Sequence, residues 1–136
     1  MTSRGVARRQ YLDRYFGRDP DWWPWSLARV REARQRGPIY INDIVYAESS
    51  TRFASIDLFD ATLERAKIIV IPIPRSALFL AGKVFLEYRK AGGGKATILP
   101  DFFIGAHAEV EQLSVITRDT RRYRRYFPTV KLIAPE

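Results

Sequence analysis

The sequence has no cysteine and only one histidine, and these two shortages exclude several kinds of site. Without cysteine the chain has no disulfide scaffold, no zinc finger and no thiol nucleophile. A single histidine cannot build a metal site of several histidines. No apolar run approaches the ~20 residues that cross a bilayer, because Pro72 and Pro74 interrupt the strongest one. The first residues also lack the apolar segment of a signal peptide, so we expect a cytoplasmic protein that does not contact a membrane.

Acidic residues are few in comparison with basic ones. The chain has 15 Asp and Glu against 23 Lys and Arg, which gives a net charge of +8. The hydrophobic fraction of 46% is enough to build a core, so the 136 residues predict one domain over residues 1–136. The positive charge favours a polyanionic partner, although charge alone does not separate a nucleic acid from non-specific adhesion.

Helical patterns alternate with short β-branched segments, which predicts an α/β fold with a mostly parallel sheet. The predicted helices cover residues 22–34, 55–66, 75–91, 101–111 and 119–126, and a further one begins at Asn42 or Asp43. The predicted strands cover residues 67–71, 113–117 and 129–133, and the first of these is expected to be buried. Residues 1–19 are polar and rich in arginine, and they do not contain a recognisable opening strand.

Glu48 is an acidic residue in an unexpected place. It follows Ile41, Ile44 and Val45 at helical spacing, so it lies on the apolar face of the predicted second helix. A buried carboxylate needs a cation, a hydrogen-bond donor or a metal beside it. An ion pair with one of the many basic residues explains the position as well as a functional site does.

Asp101 and Asp119 are the other two acids of interest. Asp101 follows Pro100 where a helix begins, and an N-cap is the ordinary explanation for an acid there. Asp119 follows a predicted strand and could also be a cap, but sites in open α/β sheets form beyond the carboxyl ends of strands. Three carboxylates without a thiol suit a hard cation such as Mg²⁺ or Mn²⁺.

The basic residues are concentrated in one segment near the end of the chain, where arginines alternate with tyrosines. Guanidinium groups bind phosphate and aromatic rings stack on unpaired bases, so this segment is a candidate RNA-binding surface. The alternative is a solvated helix face with Tyr123 and Tyr126 packed inward. The candidate RNA-binding residues are Arg118, Arg121, Arg122, Arg124 and Arg125. We expect His107 to be a packed or surface histidine rather than a general base, and the tryptophans at 22, 23 and 25 to belong to the core.

Four motifs together resemble the PIN-domain ribonucleases, and most of all the VapC-type toxins of bacterial toxin–antitoxin pairs. They are INDIVYAE at 41–48, LAGK at 80–83, LPDFFIGAHA at 99–108 and TRD at 117–119. The resemblance implies a three-layer α/β/α fold with a five-stranded parallel sheet. It also implies an antitoxin partner, a homodimer, and RNA hydrolysis by water activated by Mg²⁺ or Mn²⁺. By position, Glu48, Asp101 and Asp119 match three of the family's four acids, and Thr117 matches a hydroxyl residue near the last acid.

The opening of the chain departs from the family pattern, in which an apolar strand ends in the first aspartate. By spacing, Ala7 or Arg8 falls at the position of that acid, and Asp13 aligns with a second, non-catalytic aspartate. The first strand is therefore expected to be missing or degenerate, with weakened metal binding. One hypothesis is that residues 1–16 are a frame-shifted reading of an ordinary opening. The alternative function is a module that binds RNA or antitoxin without cleaving, and a weaker one is cleavage of DNA.

Overall fold

The computed structural model describes residues 9–13, 23–94, 99–117 and 119–133, and these contain five strands and six helices. The strands are β1 (Gln10–Leu12), β2 (Ile39–Asn42), β3 (Ile68–Ile71), β4 (Ser114–Ile116) and β5 (Leu132–Ile133). The helices are α1 (Trp23–Arg34), α2 (Asp43–Ser50), α3 (Ile56–Ala66), α4 (Arg75–Lys90), α5 (Leu99–Glu111) and α6 (Arg121–Tyr126). Within the described part of the chain, no helix has the length and apolar character needed to cross a membrane.

The five strands form one parallel sheet in the order β3-β2-β1-β4-β5. The chain builds outward from β1 to β2 and β3 on one side, then crosses over to β4 and β5 on the other. The direction of winding changes between β1 and β4, and the carboxyl ends of these two strands are where ligands bind in sheets of this kind. The α/β class and the five-stranded parallel sheet are confirmed, and the six helices are consistent with three α/β/α layers.

The opening strand is present, so the expectation that it is missing was wrong. β1 lies at the centre of the sheet, and Tyr11 and Leu12 are fully buried. Gln10 is also buried, because its side-chain amide donates hydrogen bonds to the carbonyl oxygens of Ala33 (2.7 Å) and Gly37 (3.3 Å). The strand is only three residues long and begins with a polar residue, so no apolar run marks it in the sequence.

The second helix begins where expected, at Asp43 after Asn42, but Ile41, which was placed on that helix, lies in a strand. Ile39–Asn42 is β2, which pairs with β1 on one side and β3 on the other. Asn42 then caps α2, and its side-chain oxygen accepts a hydrogen bond from the Val45 N–H at 2.8 Å. Ile41 therefore belongs to the sheet, where β-branched side chains pack well between neighbouring strands.

β3 was expected to be buried, but it lies at an edge of the sheet. Ile69 and Val70 are 48% and 38% exposed. A short β-branched run is compatible with either position, and the strand order rather than the run itself decides which one is adopted. The other predicted elements agree with the structure to within a few residues, and Ser55 caps α3 by accepting a hydrogen bond from the Leu58 N–H.

A close approach of α5 to the end of α6 fixes the position of α6. A Cβ atom placed on Gly105 of α5 would lie 2.3 Å from the Phe127 ring, which is far inside any normal contact. Phe127 is buried and directly follows α6. Because Gly105 lacks a side chain, the Phe127 ring packs directly on the backbone of α5. This contact sets where the polar residues of α6 lie relative to the first turn of α5.

Candidate active site at the carboxyl ends of β1 and β4

Asp13 directly follows β1 and lies at the carboxyl end of the central strand. Its backbone N–H donates to the Ile116 carbonyl of β4 at 3.0 Å, and the residue is only 2% exposed. Asp13 thus holds the place that the resemblance gives to the first family acid, at the end of the opening strand. Spacing in the sequence instead aligned Asp13 with a second, non-catalytic aspartate, and the role of Asp13 stays a prediction. Ala7 and Arg8 lie outside the described residues.

The frame-shift hypothesis for residues 1–16 stays a prediction, since only residues 9–13 of this segment are described. Residues 10–13 as written supply both the central strand and the acid that follows it. No change of reading frame is needed to explain either feature.

Two hydroxyl groups hold the Asp13 carboxylate. Its Oδ2 accepts hydrogen bonds from the Tyr123 hydroxyl at 2.6 Å and from Thr117 Oγ1 at 3.0 Å. All three residues are buried. Hydrogen bonds to a charged acceptor are among the stronger ones and offset the cost of burying the carboxylate. Tyr123 packs inward, as expected if the basic segment is a solvated helix face. Its hydroxyl contacts the candidate site at Asp13.

Thr117 also connects Asp13 to Asp119. Thr117 Oγ1 accepts a hydrogen bond from the Asp119 N–H at 3.0 Å and lies 3.1 Å from the Asp119 carbonyl oxygen. The Asp119 carboxylate accepts a bond from the Arg121 N–H at 3.3 Å, at the start of α6. The N-cap of α6 is Thr120, so Asp119 is not the cap that the simpler interpretation expected. Asp119 precedes this cap, and Thr117 connects its backbone to Asp13.

Asp101 is buried in the first turn of α5, where its carboxylate pairs with an arginine. It is the third residue of the helix rather than its N-cap, and it is 1% exposed. Arg122 Nη1 lies 2.5 Å from Asp101 Oδ2. The Arg122 guanidinium therefore points to an acid of the site, in contrast to the outward orientation expected of an RNA-binding residue. Arg122 and Tyr123 are adjacent, so α6 contacts both Asp101 and Asp13.

Glu48 is half-buried in α2, the helix that follows β2. β2 neighbours β1 in the sheet. Asp13 follows β1 and Glu48 lies in the helix that follows β2, so the two acids come after adjacent strands. Among residues 9–13, 23–94, 99–117 and 119–133, no three acidic or histidine side chains lie close enough together to hold a metal ion. The carboxylates are the right ligands for Mg²⁺ or Mn²⁺, but in this arrangement they do not form a metal site.

Exposed arginines continue from the site along α6. The Arg121 side chain is 92% exposed, and its Nε lies 3.8 Å from Asp119 Oδ1. Arg124 and Arg125 are also exposed, and the Arg125 guanidinium lies 5.4 Å from the centre of the Tyr126 ring. These three arginines form a positive surface next to Asp119. Arg118 is outside the described residues.

His107 is a packed histidine, as expected. It is buried in α5, and its Nδ1 lies 3.0 Å from the Tyr11 hydroxyl, with the two rings edge to face. Burial lowers the pKa of His107, and burial likewise raises the pKa of the Tyr11 hydroxyl. Both groups are therefore neutral at pH 7 and unsuited to acid–base chemistry in solvent. The side chains of the expected tryptophan cluster lie outside what the structure describes.

Comparison with known proteins gives a family match and several similar folds. The family model of the PIN domain matches residues 26–128. The structure of VapBC2 from Rickettsia felis bound to a promoter DNA fragment aligns with a TM-score of 0.66 and 17% identity, covering 94% of this chain and 99% of that one. DNA-bound VapBC from Salmonella typhimurium aligns with a TM-score of 0.62 and 18% identity, covering 93% of this chain and 98% of that one. A toxin–antitoxin complex from Klebsiella pneumoniae aligns with a TM-score of 0.61 and 21% identity, and it also covers 93% of this chain and 98% of that one. No curated protein sequence matches the chain.

Proposed function

Since the chain belongs to the PIN-domain family, whose members are generally nucleases, we propose that it is a VapC-type toxin that cleaves RNA. The observation that carries this proposal is the position of Asp13. It lies where the sheet changes its direction of winding, and the hydroxyl groups of Tyr123 and Thr117 hold its carboxylate beside Asp119. Acids held rigidly at this edge are typical of a site that binds and hydrolyses a substrate.

The residue types favour hydrolysis by water over attack by a side chain. The sequence has no cysteine, and its one histidine is buried against Tyr11. Asp13, Asp101, Asp119 and Glu48 are the proposed acids of the site. Thr117 and Tyr123 keep the Asp13 carboxylate in one orientation, and the exposed arginines of α6 would bind the phosphates of the RNA strand.

We propose Mg²⁺ or Mn²⁺ as the cofactor on the basis of the family resemblance and the oxygen donors. Such an ion polarises a phosphate and activates water. The described acids are not gathered around one point, and Arg122 occupies an oxygen of Asp101. Removal of the metal with EDTA therefore tests this part of the proposal.

We also propose an antitoxin protein and a second copy of the chain as partners in the cytoplasm. The similar structures from Rickettsia felis, Salmonella typhimurium and Klebsiella pneumoniae are toxin–antitoxin or VapBC complexes. Large apolar side chains that are exposed on two helices are candidates for contact with such partners. They are Ile56 and Leu58 on α3 and Leu78, Phe79 and Leu86 on α4.

The alternative function is a module that binds RNA or antitoxin without cleaving. One observation favours it: the ion pair between Arg122 and Asp101 places a cation at an acid that the nuclease needs. The same cleavage experiment decides between the two functions.

The experiment incubates the purified chain with single-stranded RNA and with DNA of the same sequence, in Mn²⁺, Mg²⁺ or EDTA. Asp119→Asn is the test variant, because an asparagine oxygen can still accept the bond from the Arg121 N–H. Asp57→Asn, at an exposed acid of α3, is the matched control. We expect metal-dependent cleavage of RNA by the wild type and the control, and a loss of cleavage in Asp119→Asn.

Three other results would change the proposal. RNA binding without cleavage by a folded wild type would establish the non-cleaving module. Equal cleavage of DNA would show that the 2′-hydroxyl group is not needed. Full activity in EDTA would remove the metal from the proposal.

A further inference from the structure

The ion pair between Arg122 and Asp101 places a built-in cation in the candidate site. Arg122 Nη1 lies 2.5 Å from Asp101 Oδ2 and donates a charge-assisted hydrogen bond to it. Asp101 is 1% exposed and the Arg122 side chain is 26% exposed. The acid is therefore almost completely withdrawn from water, while the arginine is anchored at its tip and reaches solvent along part of its length.

The position of Arg122 has an electrostatic reason. The hydroxyl of Tyr123, the next residue of α6, donates a hydrogen bond to Asp13, and Asp119 lies two residues before the first residue of the helix. α6 therefore contacts Asp101 through Arg122 and Asp13 through Tyr123. The Arg122 guanidinium offsets the negative charge of the buried Asp101 carboxylate. A divalent cation would have the same effect and would need the same carboxylate oxygens.

We propose that Arg122 competes with the divalent cation for Asp101, so that metal binding requires the Arg122 guanidinium to leave this carboxylate. The inference rests on the proposed function, because it concerns the metal of that site. No three acids of the described residues are arranged around a metal ion, and Asp101 is paired with this arginine. Arg122 is therefore a positioning residue of the site, and it controls how readily Asp101 becomes a ligand.

The Arg122 side chain can move toward solvent when it is displaced from Asp101. It already reaches solvent, and the exposed side chains of Arg121, Arg124 and Arg125 lie on the same short helix. A released guanidinium would add to this positive surface, and its planar fork matches the oxygens of a phosphate. Binding of the metal at Asp101 and binding of RNA phosphate by Arg122 would therefore favour each other.

The test measures Mn²⁺ affinity by calorimetry in the full chain and in two variants, in the absence of RNA. Arg122→Gln removes the competing charge and keeps hydrogen-bond donors near Asp101. Arg124→Gln makes the same change in charge at an exposed position of the same helix and is the matched control. We expect Arg122→Gln to bind Mn²⁺ at least about tenfold more tightly than the wild type, because removing a unit charge a few ångströms away outweighs the loss of a distant one. The control should bind slightly more tightly at most.

Thermal melting provides a second readout that does not depend on activity. Without metal, Arg122→Gln should melt below the wild type, because the buried Asp101 carboxylate loses its ion pair with Arg122. Mn²⁺ should raise its melting temperature by more than it raises that of the wild type. If Arg122→Gln fails to fold, Arg122→Lys replaces it. A single ammonium group holds the carboxylate less firmly than a guanidinium, so this variant should also bind Mn²⁺ more tightly than the wild type.

The outcomes separate this inference from the proposed function. Equal or weaker Mn²⁺ binding by Arg122→Gln, with metal-dependent RNA cleavage by the wild type, would overturn the competition and leave the nuclease intact. Mn²⁺ binding by none of the proteins would overturn both.

Discussion

The Tyr123 hydroxyl donates a 2.6 Å hydrogen bond to Asp13 Oδ2, and these two residues are 110 positions apart in the sequence. This bond joins the opening strand to the last helix of the described chain. It places α6 across the carboxyl ends of β1 and β4, with Arg122 next to Tyr123 and paired with Asp101. The candidate site is therefore assembled by α6, and its properties depend on contacts that this helix makes.

Removing the Tyr123 hydroxyl should weaken both the fold and the site. In Tyr123→Phe the buried Asp13 carboxylate keeps Thr117 but loses its shorter hydrogen bond. We expect a loss of about 1–3 kcal/mol in the free energy of unfolding, measured by urea denaturation, together with slower RNA cleavage. Tyr126→Phe on the same helix is the control, since the Tyr126 ring packs against Phe102. Equal stability losses in the two variants would show that the bond to Asp13 contributes nothing.

A methyl group at Gly105 should displace α6. In Gly105→Ala the new Cβ would overlap the buried Phe127 ring, so either the ring or the helix has to move. Overpacking of this kind costs about 1–3 kcal/mol, and we expect the melting temperature and the cleavage rate to fall together. Gly82→Ala on α4 is the matched control, because a Cβ there meets no atom within 4 Å. A Gly105→Ala protein as stable as Gly82→Ala would contradict the close packing.

The single histidine should give the protein a pH-dependent stability. Burial lowers the pKa of His107 below its ordinary value of 6.5, so the unfolded chain takes up a proton at a higher pH than the folded one. Stability is then full above the unfolded pKa and is lost as the pH falls through and below it. We expect the melting temperature to drop between pH 7.5 and 5.5. The decrease should be smaller in His107→Gln, which has no histidine left to titrate. An equal decrease of the melting temperature with pH in the wild type and in His107→Gln would show that another group is responsible.

The exposed arginines of α6 should determine how RNA binding responds to salt. The double variant Arg124→Gln and Arg125→Gln leaves the Arg122–Asp101 pair untouched. Each lost phosphate contact should reduce the slope of log affinity against log salt by about 0.7 for single-stranded RNA. Fluorescence anisotropy at four salt concentrations measures this slope. Lys67→Gln combined with Lys90→Gln, at exposed positions on other elements, is the control of equal charge. The same salt dependence of RNA affinity in both double variants would show that Arg124 and Arg125 are not part of the RNA-binding surface.

The sequence predicted the helices better than the strands, for a physical reason. α4 and α5 are long enough for their apolar spacing and their stop signals to be visible. β1 has three residues and β2 has four, and both lie next to polar residues that the fold buries through specific bonds. Gln10 is buried only because α1 and the loop after it supply acceptors. Such acceptors come from distant parts of the chain, so local sequence cannot reveal them.

The candidate site was predicted in part. Asp101 and Asp119 lie next to elements that the sequence located, and both are near the site. Asp13 was aligned with a second, non-catalytic aspartate, because spacing placed the first acid at Ala7 or Arg8 and not at the end of the residue pattern Tyr11, Leu12, Asp13. That pattern, two apolar residues followed by an acid, is the signal that could have found it. The Arg122–Asp101 pair depends on how α6 is placed against α5, which only the structure shows.

Cleavage by Asp13→Asn tests most directly whether Asp13 is the first acid of a nuclease site. An asparagine oxygen can still accept the hydrogen bonds from Tyr123 and Thr117, so the fold should survive while the charge is lost. With Mn²⁺ and single-stranded RNA, we expect the initial rate to fall at least about a hundredfold relative to the wild type and to Asp57→Asn. A folded Asp13→Asn protein that cleaves RNA at the wild-type rate would contradict the assignment and leave the site without its central residue.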